Sequence, residues 1–164
     1  MLIMLLASSI NDVIGAEGSI PWRLSDDLKK FSQLTQGHNI VMGRKTHEGC
    51  IKRVLCNRTN IVISNTQGYK SPHGEVITMQ KESVLRLSKT EKLFIVGGGE
   101  IYSMFEGFYD KIYHTRVDTI IDQPNMVKYT PSLEEFTKVY SKNYQKNETN
   151  EYDFNFNVYY RVQA

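Results

Sequence analysis

Six short apolar runs, Leu2 to Leu6, Ile40 to Met42, Ile61 to Ile63, Val76 to Met79, Leu93 to Val96 and Ile112 to Val117, recur between turn-rich or helix-like stretches. Most lack strict polar alternation, so they read as strands buried on both faces. That pattern belongs to a largely parallel sheet covered by helices. The end of the chain differs. Tyr152, Phe154, Phe156, Val158 and Tyr160 alternate with Asp153, Asn155, Asn157, Tyr159 and Arg161, the period of a strand with one buried face. The polar run Lys146 to Asn150 and the segment Phe136 to Tyr144 before it complete a closing antiparallel hairpin. Helices are expected over Leu24 to Leu34, shortly after Gly43, over Glu82 to Leu87 and over Gly99 to Phe105. The fold class is therefore α/β: a single mixed, mostly parallel sheet flanked by helices, with a C-terminal antiparallel hairpin. No repeat, low-complexity tract or linker divides the chain, so residues 1–164 read as one domain.

Composition removes several function classes. With 20 Lys and Arg against 18 Asp and Glu, the formal net charge is +2, and both signs are spread along the chain. A nucleic-acid footprint needs a basic face or a much more basic composition. Cys50 and Cys56 have no His or Cys company at metal-ligand spacing, so they read as reduced cytosolic thiols, with no metal site. The apolar start from Met1 to Ala7 has no basic region before it and falls far short of the roughly 20 apolar residues that span a bilayer. It reads as a first strand, and no membrane partner is expected.

Three places carry chemistry. The first is Ile20-Pro21-Trp22-Arg23-Leu24-Ser25-Asp26-Asp27-Leu28-Lys29-Lys30-Phe31. Ser25 is placed to cap a helix whose first turn holds both aspartates, where negative charge suits the helix dipole. At about 100° per residue, Leu24, Leu28, Phe31 and Leu34 form one apolar stripe that contains Asp27, while Asp26 falls with Lys29 and Lys30 on the solvated side. A carboxylate aimed at an apolar face is either satisfied internally or meets a ligand with paired N–H donors. Trp22 and Phe31 supply flat walls for a planar heterocycle. The second place is Leu93 to Val96 running through Gly97-Gly98-Gly99 into Glu100-Ile101-Tyr102, where glycines admit close approach of a phosphate, or simply make a tight turn. It is not a G-x-G-x-x-G fingerprint. The third is Asn39 to Met42 leading through Gly43 into Arg44, Lys45 and Thr46. Cations at a helix start oppose the dipole, a conflict that an anionic ligand resolves; a solvated basic turn is the plain alternative.

In order and spacing, these three places and the strings Val13-Ile14-Gly15, Ile20-Pro21-Trp22, Val41 to Thr46, Arg58 to Ser64 and Val96 to Tyr102 resemble the dihydrofolate reductase family. The resemblance runs from Met1 to about Val117 and more loosely through the hairpin. It implies NADPH-dependent reduction of 7,8-dihydrofolate to tetrahydrofolate, with hydride to C6 and a proton to N5. A cytoplasmic monomer serving one-carbon metabolism and open to antifolate inhibitors follows from the same resemblance. Asp27, Trp22 and Thr115 would be catalytic, with Thr115 hydrogen-bonded to the Asp27 carboxylate. Leu5, Ala7, Leu28, Phe31, Ile51, Leu55, Val96 and Tyr102 would line the substrate pocket, and Arg58 would clamp the glutamate α-carboxylate. Ala7, Ile14, Gly15, Gly18 and Ile20 would border the nicotinamide. Gly43, Arg44, Lys45, Thr46, Ser64 and Asn65 would hold the phosphates and adenosine, together with Val96, Gly97, Gly98, Gly99, Glu100, Ile101 and Tyr102. The resemblance also implies a cis peptide at Gly97-Gly98. Three departures stand out: Ile20 where a common bacterial version has Met, one inserted residue and missing prolines around His47 to Asn57, and Asp122 to Met126 in place of a Gly-Asp turn.

The main rival on the same fold, a reductase of a pyrimidine intermediate, fits the Trp22-to-Asp27 spacing poorly. A binding module that has lost turnover would not need Asp27, Thr115 and the glycine turn together.

Overall fold

A computed structural model describes residues 1–163; the last residue of the expected domain, Ala164, lies outside the described residues. In chain order the elements are β1 (Leu2–Ser9), β2 (Val13–Ala16), α1 (Ser25–Thr35), β3 (Asn39–Gly43), a π-helix (Thr46–Ile51), β4 (Thr59–Ile63), β5 (Ile77–Met79), α2 (Lys81–Leu87), β6 (Leu93–Ile95), α3 (Gly99–Met104), β7 (Lys111–Val117), β8 (Met126–Lys128), β9 (Phe136–Tyr144) and β10 (Phe154–Arg161). Eight strands form one sheet in the order β5-β4-β3-β6-β1-β7-β10-β9. Pairing is parallel from β5 through β7, and β10 then runs antiparallel to both β7 and β9.

The unalternating runs are apolar throughout because both sheet faces are covered. Leu2, Met4 and Leu6 of β1 point into one core cluster with Val41, Ile61, Leu93 and Ile95. Ile3 points into the other with Ile40, Met42, Val62 and Phe94, and Leu5 packs against it. Truncating a fully buried Leu, Ile or Met among these to Ala would cost roughly 2–5 kcal/mol. The hairpin keeps the alternation only in part: Phe154, Phe156 and Val158 are buried, yet Tyr160 is 48% exposed. Tyr152, expected in the strand, precedes it. Asn157, expected outward, is buried because its amide donates to the His114 carbonyl and its oxygen accepts from Ser141.

Two local expectations are corrected. The residue before α1 is Leu24, in extended conformation, and no side chain at that position, Ser25 included, caps the helix. Asn150 does so from the hairpin turn: its Oδ1 accepts the Asp26 N–H at 3.1 Å, and its Nδ2 donates to Asp26 Oδ2 at 2.8 Å. Asp26 is thus tied to the fold as well as facing water. The second correction concerns Lys30, which leaves the solvated side of α1. Its ammonium lies 4.6 Å from the centre of the Phe156 ring and 5.3 Å from that of Tyr144.

A second, two-stranded sheet pairs β2 with β8, Gly15 opposite Val127 and Ala16 opposite Met126. It fastens the segment carrying Ile14 to the stretch that replaces the expected Gly-Asp turn. Beside it, on the face of β7 away from Thr115, His114 shares a 2.7 Å hydrogen bond with Ser8. Arg116 reaches the same Ser8 hydroxyl at 3.3 Å and pairs with Asp12 at 2.7 Å. Among the described residues no helix is long and apolar enough to cross a membrane.

Candidate active site

The parallel strands β1, β3 and β6 all end on the same side of the sheet, the edge at which α/β folds build their crevices. There the register Ala7 opposite Thr115 and Thr115 opposite Phe156 sets three side chains in a row across β1, β7 and β10. Helix α1 crosses above the row and lowers Asp27 onto it. The Thr115 hydroxyl donates to Asp27 Oδ1 at 2.6 Å, a short charge-assisted bond.

Around this pair lies a cavity of about 390 Å³. Apolar side chains from four directions form it: Leu5, Leu6 and Ala7 from β1, Leu28 and Phe31 from α1, Ile51 and Leu55 from the π-helix and its following loop, and Val96 after β6. Every residue expected in the substrate pocket is brought to this lining, as are Trp22, Ile14, Ile20, Thr46, Gly97 and Gly98. Leu28, on the apolar stripe, is 60% exposed because that stripe faces the open cavity. Burial pushes the Asp27 carboxyl above the usual carboxylate range, while the Thr115 hydrogen bond and the charge of Lys30 draw it back. The result is a carboxylate with two acceptor oxygens, only one of them bonded among the described residues, at the end of an apolar slot.

Arg58 sits at the cavity wall with its Nε donating to the Cys56 carbonyl at 2.9 Å and Nη1 to Thr35 Oγ1 at 3.1 Å. These two bonds orient the guanidinium while leaving it further donors.

On the other side of the cavity, Gly97 adopts φ +122°, open to glycine but strained for other residues. The Gly97-Gly98 peptide is cis, as the resemblance implies. A Cβ on Gly98 would stand 3.3 Å from Thr46 Oγ1, and one on Gly43 only 2.9 Å from Ile101 Cγ1. Gly43 N–H donates to the Gly97 carbonyl at 2.8 Å, so the ends of β3 and β6 are locked together. Ile101 is buried against that contact and serves packing. Tyr102 is buried with its hydroxyl donating to the Leu5 carbonyl at 2.8 Å, bracing β1 from α3.

The remaining expected cofactor residues stand outside the cavity lining. Gly15 belongs to β2, and Gly18, at φ +75°, turns the chain between Ala16 and Ser19. The pairing of Gly43 with Ile63 carries Arg44 and Lys45 alongside Ser64 and Asn65 just past the strand ends. Gly99 and Glu100 open α3, and Glu100 is exposed. Arg44 is more than part of a solvated basic turn: its Nε pairs with Glu48 at 3.2 Å, and its guanidinium lies 5.6 Å from the centre of the Tyr69 ring.

The helix after Gly43 is a π-helix, which holds one more residue per turn than an α-helix and is how a single inserted residue is absorbed without breaking an element. The insertion expected near His47 to Asn57 thus has a structural counterpart. Its wider turn directs Thr46, Cys50 and Ile51 all into the cavity.

A profile of the family described as dihydrofolate reductase matches residues 1–161. The chain belongs to the dihydrofolate reductase family. Dihydrofolate reductase of Bacillus subtilis is 32% identical over 161 residues, covering 97% of this chain and 94% of the relative. That of Lactococcus lactis is 33% identical over 165 residues, covering 99% and 98%. Among solved structures, dihydrofolate reductase from Enterococcus faecalis, complexed with NADP(H) and RAB-propyl, superposes with a TM-score of 0.90 at 28% identity, over 99% of this chain and 97% of that one. The fold of the family is therefore the fold seen here.

Sequence reasoning missed Leu6, Lys30, Ser32, Cys50, Arg53 and Phe156 in the cavity wall of this dihydrofolate reductase family member. Phe156 was recoverable in principle, since it is in phase with Phe154 on the buried face of the last strand. Lys30 and Arg53 had no local signal, because a cation is solvated by default.

Proposed function

We propose that this chain reduces 7,8-dihydrofolate to 5,6,7,8-tetrahydrofolate with NADPH, within a single domain over residues 1–164, as a cytoplasmic monomer that antifolates inhibit at the same cavity. The observation that carries the reading is the Asp27 carboxylate, hydrogen-bonded by Thr115 at 2.6 Å at the closed end of an apolar slot. Family membership, with a solved relative complexed with NADP(H), supports the cofactor.

Asp27 accepts the 2-amino group and N3–H of the pterin as a pair of charge-assisted hydrogen bonds. Thr115 fixes the rotamer of that carboxylate from below. In the water-poor slot, the negative charge of Asp27 raises the proton affinity of the distant imine nitrogen N5, so a water molecule can protonate it. This is electrostatic assistance, with no direct transfer from the carboxyl. Leu28, Phe31, Ile51 and Leu55 flank the aminobenzoyl group, Trp22 and Leu5 bound the pterin, and the remaining donors of Arg58 pair with the α-carboxylate.

The residues present fit a dinucleotide. Gly97 and Gly98 leave a cradle that a Cβ would fill against Tyr102 and Thr46, and Ile14, Ile20 and Ala7 give an apolar border at its cavity end. When bound, the reduced nicotinamide supplies the hydride accepted at C6. Thr46, Lys45 and Arg44 would hold its phosphates, with Ser64 and Asn65 beside the ribose, and Arg44, now paired with Glu48, would face the 2′-phosphate.

The test mixes the purified chain with NADPH and dihydrofolate and follows nicotinamide absorbance and tetrahydrofolate formation. Turnover with a preference for NADPH over NADH is expected. Absence of turnover with either cofactor overturns the reading.

A further inference from the structure

Two charged side chains in the cavity wall, Lys30 and Arg53, have no part in the binding of substrate or cofactor, and of these Lys30 shares α1 with Asp27. Lys30 stands one helical turn after Asp27 on α1, the i,i+3 spacing at which side chains meet. It has no salt-bridge partner among the described residues. Its ammonium is held over two rings, 4.6 Å from the centre of Phe156 and 5.3 Å from that of Tyr144.

The pedestal beneath it is rigid. Tyr144 stacks on Phe154 at 4.7 Å with the planes 1° apart, and Phe156 stacks on Tyr113 at 5.7 Å. Phe156 is also the register partner of Thr115, the residue bonded to Asp27. The clamp that fixes the lysine is thus built on the strand pair that fixes the carboxylate.

We propose that Lys30 is a positioning residue for Asp27: a counter-charge clamped over Phe156 and Tyr144 that keeps the carboxylate ionised in its apolar slot. The inference rests on the reductase reading of the site. Several groups face this pair. From α1 comes Lys30, and from β7 the Thr115 hydroxyl, with Tyr113 and Lys111 further along that strand. β10 presents Phe156, with Tyr160 under Lys111 further along, and β9 presents Tyr144 with Lys142 4.9 Å from its ring centre. Arg53 and Arg58 lie in the wall beyond the π-helix. Burial raises the proton affinity of Asp27, and the Thr115 hydrogen bond and then the charge of Lys30 act against that rise. An exposed lysine would be screened to little effect. This one is half-buried, and cation–π contacts hold it against a low-dielectric surface.

Lys30→Met keeps the stem over the rings and removes the charge; Lys30→Arg keeps both. Infrared or carbon-13 titration of the Asp27 carboxyl in the free enzyme reads the effect without turnover. The Met variant should titrate at higher pH and the Arg variant should return it. In steady state, the acid limb of kcat/KM should move the same way. On that limb the Met variant should lose roughly threefold, modest because one face of the ammonium meets water. In an Asp27→Asn background, Lys30→Met should have no such effect.

An Asp27 titration unmoved by Lys30→Met overturns the proposal, as does an equal loss in the Asp27→Asn background. If the wild type shows no reductase activity, the reductase reading falls. The carboxyl titration still decides whether Lys30 acts on Asp27.

Discussion

Asn150→Ala tests how the active-site helix is held. Asn150 is 1% exposed and bonds Asp26 twice, through the backbone N–H at 3.1 Å and the carboxylate at 2.8 Å. Loss of a helix-capping acceptor costs about 1 kcal/mol. Loss of a part-buried donor to a carboxylate adds about 1.5 kcal/mol. The total, about 2.5 kcal/mol, lowers Tm by roughly 5–10 °C for a chain of this size. Because α1 carries Asp27 one residue after the cap, kcat should fall as well, with the KM of the cofactor little changed. Ser25→Ala is the matched control. The sequence makes Ser25 the natural cap, yet its hydroxyl caps nothing in the fold, so the substitution should move Tm by less than about 2 °C. Calorimetry on both variants, with kcat on each, gives the comparison. A Ser25 variant that loses as much stability as the Asn150 variant would refute the assignment of the cap to the hairpin turn.

Four further outcomes are expected. Asp27→Asn should slow the chemical step by roughly 10² to 10⁴, with less loss at low pH where substrate arrives protonated; a pH-independent loss would reject the electrostatic role. The same variant should gain stability relative to wild type as pH rises. A carboxyl whose proton affinity is raised by folding stabilises the fold below its unfolded pKa, and that contribution fades as pH climbs through the folded one. Arg58→Leu should raise the KM of dihydrofolate while sparing a pterin without the glutamate, and equal losses on both would reject the clamp. His114, pushed down to about 4 chiefly by burial and next by Arg116, makes the opposite contribution. Its share of stability is complete above about pH 6.5 and is lost as pH falls toward 4. Denaturant titrations of wild type and His114→Gln should converge at the acid end of that window, and parallel curves would exclude it.

The strands and Asp27 are legible through local periodicity, whereas Thr115, Arg58 and most of the cofactor residues are reached only through the family resemblance. Leu2 to Leu6 and Ile61 to Ile63 are legible because burial on both faces demands continuous apolar runs. Asp27 is legible because it interrupts an apolar stripe. The invisible features all depend on pairing across long stretches of chain. Asn150 caps a helix more than a hundred residues upstream, and Lys30 turns inward only because β9 and β10 place rings beside α1. The β2–β8 sheet is short, and Met126 to Lys128 reads as a strand only once Val13 to Ala16 lies next to it. The π-helix is a matter of hydrogen-bond spacing, which composition does not encode.

The strand at one edge of the large sheet, β9, is nine residues long with one side unpaired among the described residues, and Val139 and Tyr140 are each about half exposed. A strand of that kind is a template on which another copy could pair. Two features blunt it. Pairing with β10 skips from Tyr140 to Lys138, leaving Val139 as an extra residue that kinks the strand. Lys138 and Lys142 then set like charges along the edge, each with its ammonium over a tyrosine ring. Any second chain in the same register would bring lysine against lysine across a bent edge. The strand that completes the pedestal of the active-site lysine is thereby also the one kept from seeding aggregates.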